Sequence, residues 1–98
     1  MNEYLLLMHA DAQAAADPAH TWPAYFARLQ AADAFEGGSA IGSGRCVSKS
    51  GKAVDVSRHL TGYIRVRAAS LDAAQALLAG NPVYEAGGTV EIRELPRG

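Results

Sequence analysis

One cysteine, Cys46, is all the thiol chemistry this chain has. No internal disulfide can form, which fits a reducing, cytoplasmic compartment. Nine Lys and Arg face ten Asp and Glu, a formal net charge of -1. With no basic excess to neutralise phosphates, nucleic acid is not an expected partner. No apolar run approaches the ~20 residues of a membrane-spanning helix, so no membrane association is expected. The acidic start, Met1, Asn2 and Glu3, with an apolar run confined to residues 4–8, does not have the pattern of a signal peptide. His9, His20 and His59 are dispersed, without HxxxH or HxH spacing, and Cys46 has no cysteine partner. No metal is expected from that set. The glycines at 37, 38, 42 and 44 lack the Gly-Lys-Ser/Thr of a phosphate loop. Gly42, Ser43 and Gly44 lack the third glycine of a dinucleotide fingerprint, so no cofactor is expected either.

What the chain does have is the material of one folded domain over 1–98, with 49% hydrophobic residues in 98. Residues 4–8 are continuously apolar and too short for a helix, the mark of a central strand. Residues 10–19 are alanine-rich but broken by Asp11, Asp17 and Pro18, and read as a loop. Thr21 can cap a helix with Pro23 in its first turn. Trp22, Tyr25, Phe26, Leu29 and Ala32 continue it at helical spacing, Phe35 is placed to extend that face, and Gly37 and Gly38 are expected to stop it. A short extended stretch follows around Ser39, Ala40 and Ile41. Residues 46–48 and 53–56 flank Lys49, Ser50, Gly51 and Lys52 as a hairpin with a glycine turn. Residues 60–66 alternate as a strand, with Gly62, Ile64 and Val66 on one face and Thr61, Tyr63, Arg65 and Arg67 on the other. Ser70 caps a second helix with Leu71, Ala74, Leu77 and Leu78 as its stripe, which Gly80 ends and Pro82 keeps from resuming. A last strand runs over 89–95.

Two helices among four strands predict an α+β chain, a ferredoxin-like βαββαβ two-layer sandwich. The first strand is apolar on both faces, Leu6 and Met8 against Leu5 and Leu7. A lone sandwich would leave Leu5 and Leu7 in water, and burying a leucine is worth roughly 1.5–3 kcal/mol. A homodimer packed sheet on sheet is therefore expected; the alternative cover is the 11–20 loop.

Three segments carry a family resemblance: residues 4–11 (YLLLMHAD), 25–29 (YFARL) and 81–93 (NPVYEAGGTVEIR). Together with the element order, the chain resembles the YCII-related domain family over nearly its whole length. The resemblance implies a small, cytoplasmic, dimeric α/β-barrel. It also implies that a few relatives are enzymes on small ring compounds, with a histidine–aspartate pair in the pocket. The family's aspartate after the first strand falls on Asp11. Its helix histidine falls on Tyr25, and its Asp-Pro step on Asn81-Pro82, so the pair is not carried over intact.

The residues themselves suggest a site. His9 and Asp11 share a face in an extended chain, and imidazole beside carboxylate suits a general base. The plain alternative is that Asp11 caps the loop or pairs with an arginine. Tyr63, Arg65 and Arg67 share the polar face of the third strand. In a ferredoxin-like sheet that strand is expected to lie parallel and next to the first, so that their ends coincide and Arg65 or Arg67 falls near Asp11. Arginine can then hold a small organic anion bidentately while tyrosine donates to an enolate or phenolate; a structural ion pair is the alternative. Trp22, Tyr25 and Phe26 are either core or the wall of an aromatic pocket. Arg45 beside Cys46, with Lys49, Lys52 and Arg58, reads as a solvated basic edge. Two functions follow. One is a cofactor-independent enzyme doing proton transfer, elimination or isomerisation on a small aromatic or enolisable acid. The other is a dimeric ligand-binding or accessory module without turnover.

Overall fold

The computed structural model describes residues 1–15, 17–52 and 54–97. In chain order it holds β1 (Asn2–His9), α1 (Trp22–Ala31), β2 (Phe35–Ala40), β3 (Leu60–Ala68), α2 (Leu71–Ala76), α3 (Pro82–Glu85) and β4 (Val90–Leu95). The strands form one sheet in the order β2-β3-β1-β4, with every neighbouring pair antiparallel. This is the expected ferredoxin-like α+β arrangement, with β1 and β3 in the middle.

One expectation about direction fails. β3 runs antiparallel, not parallel, to β1, pairing Asn2 with Ala68 and Leu7 with Tyr63. β3 is antiparallel to β2 as well, so the crossover through α1 leaves β1 and β2 parallel, and the reversal after β2 sends β3 the other way.

Alternation along β1 divides the molecule into two faces. Tyr4, Leu6 and Met8 are buried, and with Ile64, Val66, Tyr25, Leu29, Ala74 and Leu78 they build the core between sheet and helices. Leu5 and Leu7 turn to the other face, where they remain half-buried. The register rows on that open face are Arg65-Leu5-Arg93 and Tyr63-Leu7-Glu91.

The start of α1 follows the sequence. Thr21 accepts from the Ala24 amide at 3.3 Å, and Pro23 sits in the first turn. Its end comes sooner than Gly37 and Gly38. Asp33 takes a left-handed conformation, φ 54°, and the Asp33 and Ala34 amides donate back to Gln30 and Leu29. That is a Schellman closure with aspartate in the place usually held by glycine. Phe35 then opens β2 instead of extending the helix.

The hairpin expected around Lys49 to Lys52 has no strands among the described residues; only its turn forms, with the Gly51 amide donating to Ser48. Ala53, the first residue of the expected return strand, lies outside the described residues, as does Ala16 of the expected 10–19 loop. Ser70 caps α2 as read, accepting from the Ala73 amide, but Leu71 is exposed and does not join the stripe. Pro82 does not end helical structure either. It occupies the first turn of α3, where its missing N–H costs nothing, and Asn81 caps it by accepting from the Val83 and Tyr84 amides.

Gly80 has φ +88°, as its position before Asn81-Pro82 implied. A Cβ there would also run into the Arg28 guanidinium. Gly80→Val should lower the unfolding free energy by about 1–3 kcal/mol, because a β-branched residue is strained in the left-handed region. An unchanged urea midpoint would contradict this.

Candidate functional site

A cleft of about 450 Å3 opens between α1, β2, β3 and α3. Its helical wall is Trp22 and Phe26, stacked with ring centroids 5.8 Å apart and planes inclined by 29°. Its sheet wall is nearly bare. Gly38 pairs with Ile64 and Ala40 with Gly62, so three positions on the helix-facing side of two neighbouring strands carry at most a methyl group. Further along the same face of β3, Ile64 and Val66 fill the space. The cavity is what glycine and alanine leave unfilled. Met8 and Val83 add apolar surface. The Ser39 and Thr61 hydroxyls donate to the Ala40 and Met8 carbonyls, which keeps both occupied locally. Among the described residues, no Lys, Arg, His, Asp or Glu lines the cleft.

Tyr25 lies between these two aromatics in the sequence but does not line the cleft. It is 1% exposed and donates its hydroxyl to the Leu77 carbonyl at 2.8 Å. Burial pushes its phenol above the usual tyrosine value, with a hydrogen bond to Asn81 and the charge of Arg28 opposing in part. Asn81 is fully buried, and its Nδ2 lies 4.0 Å from the Met8 sulfur. The helix position and the Asx-Pro position are thus neighbours in space, and both carry groups that are neutral at physiological pH.

The other expected site residues divide into separate clusters. His9 meets Glu91 at 3.1 Å and packs edge-on against His59, with ring centroids 4.9 Å apart. Glu91 is held below the usual carboxylate range, first by its hydrogen bond to Arg93 and then by His9. The carboxylate beside His9 is therefore Glu91. No local pattern in the sequence points to Glu91, because the β1–β4 register that brings it to His9 is non-local. Asp11 instead accepts from the Thr89 amide at 2.8 Å and the Thr89 hydroxyl at 2.6 Å, tying the exit of β1 to the entry of β4.

Arg65 and Arg67 do not approach Asp11, since antiparallel pairing carries them to the opposite end of the sheet. Arg65 bonds Glu3 at 2.7 Å; Arg67 bonds Asp33 at 2.8 Å and Glu36 at 3.1 Å. Both side chains remain 40% or more exposed. Tyr63 lies in the row of Leu7 and Glu91, on the stretch of β3 that borders the cleft. The sequence signal for the bare sheet wall was Gly62, a glycine alternating with Ile64 and Val66 on a face otherwise bound for the core.

The Thr89 hydroxyl, followed by its amide, holds the Asp11 carboxyl below the usual value of 3.8. A depressed folded-state value stabilises the fold above the unfolded value, and that contribution disappears as pH falls through the folded value. Asp11→Asn should therefore flatten the loss of stability on acidification below about pH 4, while leaving thermal unfolding near pH 7 cooperative. Parallel acid-unfolding curves for the two proteins would refute the tie.

Residues 2–97 match the YCII-related domain. The chain belongs to the YCII-related domain family. Among solved structures, this YCII-family chain is similar to the 5-chloro-2-hydroxyhydroquinone dehydrochlorinase of Burkholderia phenoliruptrix, solved in complex with 2,5-dihydroxybenzoquinone. The two share 16% identity with a TM-score of 0.56, over 98% of this chain and 95% of that one. At that identity the likeness shows the fold alone. No curated protein matches by sequence.

Proposed function

We propose that this YCII-family chain is a dimeric binding module whose cleft takes a small planar organic ring, aromatic or enolic. The carrying observation is the slot itself, two stacked aromatics facing a sheet wall of Gly38, Ala40 and Gly62. Such a space suits a flat ring, and its apolar lining favours a neutral or phenolic one over a carboxylate. The related structure was solved with a ring of this class. Binding without turnover is favoured because Tyr25 and Asn81 stand where the family resemblance implies histidine and aspartate, and no titratable acid or base with an ordinary value near neutrality lines the slot among the described residues. Self-association is supported by half-buried Leu5 and Leu7 on the open face. Among the described residues no helix is long and apolar enough to cross a membrane, and we place the protein in the cytoplasm on its single cysteine.

The second reading is a cofactor-independent enzyme on a small aromatic or enolisable ring. The His9–Glu91 pair favours it, since a carboxylate orients an imidazole for proton transfer. Asp11, Tyr63, Arg65 and Arg67 serve that reading only if a second copy or a ligand draws them together.

The test is protein NMR with hydroquinone and a chlorinated hydroquinone, run alongside assays for chloride release and solvent-deuterium exchange. Binding shifts at Met8, Trp22, Ser39, Gly62 and Val83 with no turnover support the module. Turnover that falls in His9→Gln assigns the enzyme. Shifts confined to residues outside both the cleft and the His9–Glu91 cluster remove both readings.

A further inference from the structure

Between β2 and β3 the chain makes a nineteen-residue excursion, residues 41–59. Connections longer than about 12–15 residues without secondary structure are uncommon in compact domains and tend to be functional when ordered. Among the described residues, the Ile41 amide bonds the Thr61 carbonyl and the His59 carbonyl accepts from Ala10 at the base, while Gly51 bonds Ser48 at the tip. Between base and tip the described residues form no strand ladder. Yet the local sequence favours extended structure, with Cys46 and Val47 on one limb and Val54 and Val56 on the other. Val47 is 83% exposed and Val54 58%. The radius of gyration is 14.9 Å, against about 12.5 Å for a compact domain of this length. The limbs touch through Cys46 Sγ and the Asp55 carbonyl at 3.5 Å and Ser48 Oγ and the Lys52 carbonyl at 3.3 Å, and among its described residues the segment is an arm whose Val47 and Val54 are left largely exposed.

Its charge says what kind of partner fits. Arg45, Lys49, Lys52 and Arg58 stand against Asp55 alone, a formal +3, whereas the rest of the chain carries five cations and nine carboxylates, a formal -4. None of the four arm cations makes an ion pair among the described residues. On the body, Asp72 and Glu85 are likewise without a cation, and they flank a groove between α2 and α3 lined also by Tyr84. Leu71 and Tyr84, both about half exposed, put apolar surface beside those carboxylates. A basic arm with bare valines and an acidic groove with a bare leucine and tyrosine are complementary. They occur on the same chain, as an isologous dimer requires, since each copy supplies one arm and one groove.

We infer that residues 41–59 clasp a second copy of this chain, with the arm's cations and valines seated in the partner's α2–α3 groove. The inference rests on the self-association proposed above and goes beyond it by assigning a second contact. Nine extended residues reach about 30 Å. In the proposed sheet-on-sheet dimer, layer spacings put that groove at least about 20 Å from the arm's origin, within the arm's reach.

Cys46 lies on the exposed arm and is the chain's one cysteine, so it takes a spin label without further engineering. The experiment mixes spin-labelled chain with 15N-labelled Cys46→Ser chain at a concentration where light scattering gives a dimer. The expected result is broadening of 15N-chain amides around Asp72, Tyr84 and Glu85. Lys49→Glu combined with Lys52→Glu should abolish that broadening and weaken the dimer about tenfold at low salt. A dimeric mass with no broadening across chains, or broadening unaffected by the charge reversals, overturns the clasp and leaves the dimer standing. A monomeric mass at all concentrations removes both. Binding of a single-stranded oligonucleotide that the same reversals abolish, without broadening between copies, gives the arm to nucleic acid and also overturns the clasp.

Discussion

Leu7→Asp should run at 10.3 kDa in light scattering where the wild type runs at twice that mass. Leu7 sits at the centre of the open face, in one row with Tyr63 and Glu91. In a sheet-on-sheet dimer an aspartate at this position loses its water, gains no cation in its row and faces the Glu91 carboxylate. Desolvating an unpaired charge at an interface centre is among the costliest single changes, and a weakening on the order of a hundredfold or more is expected. The monomer should stay folded, because Leu7 points away from the core formed by Tyr4, Leu6 and Met8. A dispersed amide spectrum checks that. A wild-type mass of 10.3 kDa at micromolar concentration would contradict the dimer directly, and a dimeric Leu7→Asp would move the interface elsewhere.

Gly62→Val should close the cleft. A Cβ at Gly62 meets the Ser39 carbonyl at 3.2 Å and the Met8 methyl at 3.4 Å, tight contacts that a few tenths of an ångström relieve. The two further methyls of valine then occupy the sheet wall facing Trp22 and Phe26. Overfilling a close-fitting apolar site costs about 1–3 kcal/mol, so ring binding should weaken on the order of ten- to a hundredfold. Retained affinity in a folded Gly62→Val protein would mean the ring sits elsewhere.

The parts of the fold that were legible in the sequence are those with a local cause. Five consecutive apolar residues mark β1, Thr21 and Pro23 mark the start of α1, alternation from Gly62 to Val66 marks β3, and Gly80 before Asn81-Pro82 marks a left-handed turn. What was misread depended on competition or on distance. Asp33 ends α1 four residues before the glycines because the Schellman bonds to Gln30 and Leu29 were available there first. The valines of the 41–59 segment have strand propensity, but a strand needs a ladder partner, and propensity does not supply one. The direction of β3 is a property of topology. Reading it as parallel gathered Arg65 and Arg67 at Asp11, when antiparallel pairing gives them Glu3, Asp33 and Glu36.

The candidate site was half legible for a related reason. The aromatic stripe of α1 was visible, and two of its three rings do wall the cleft. The opposite wall consists of absent side chains on two strands that pair across a long excursion, and no single segment displays that. His9 was read beside Asp11, but that acid is taken by Thr89, and the carboxylate next to the imidazole arrives from β4.

Trp22 is the chain's one tryptophan and lines the cleft, so its fluorescence reports occupancy without a label. Titration of the wild type with hydroquinone should give a saturable change in Trp22 emission, with a midpoint in the micromolar to millimolar range, and Gly62→Val should lose the saturable component. Linear, collisional quenching of equal slope in both proteins would contradict a ring-binding cleft.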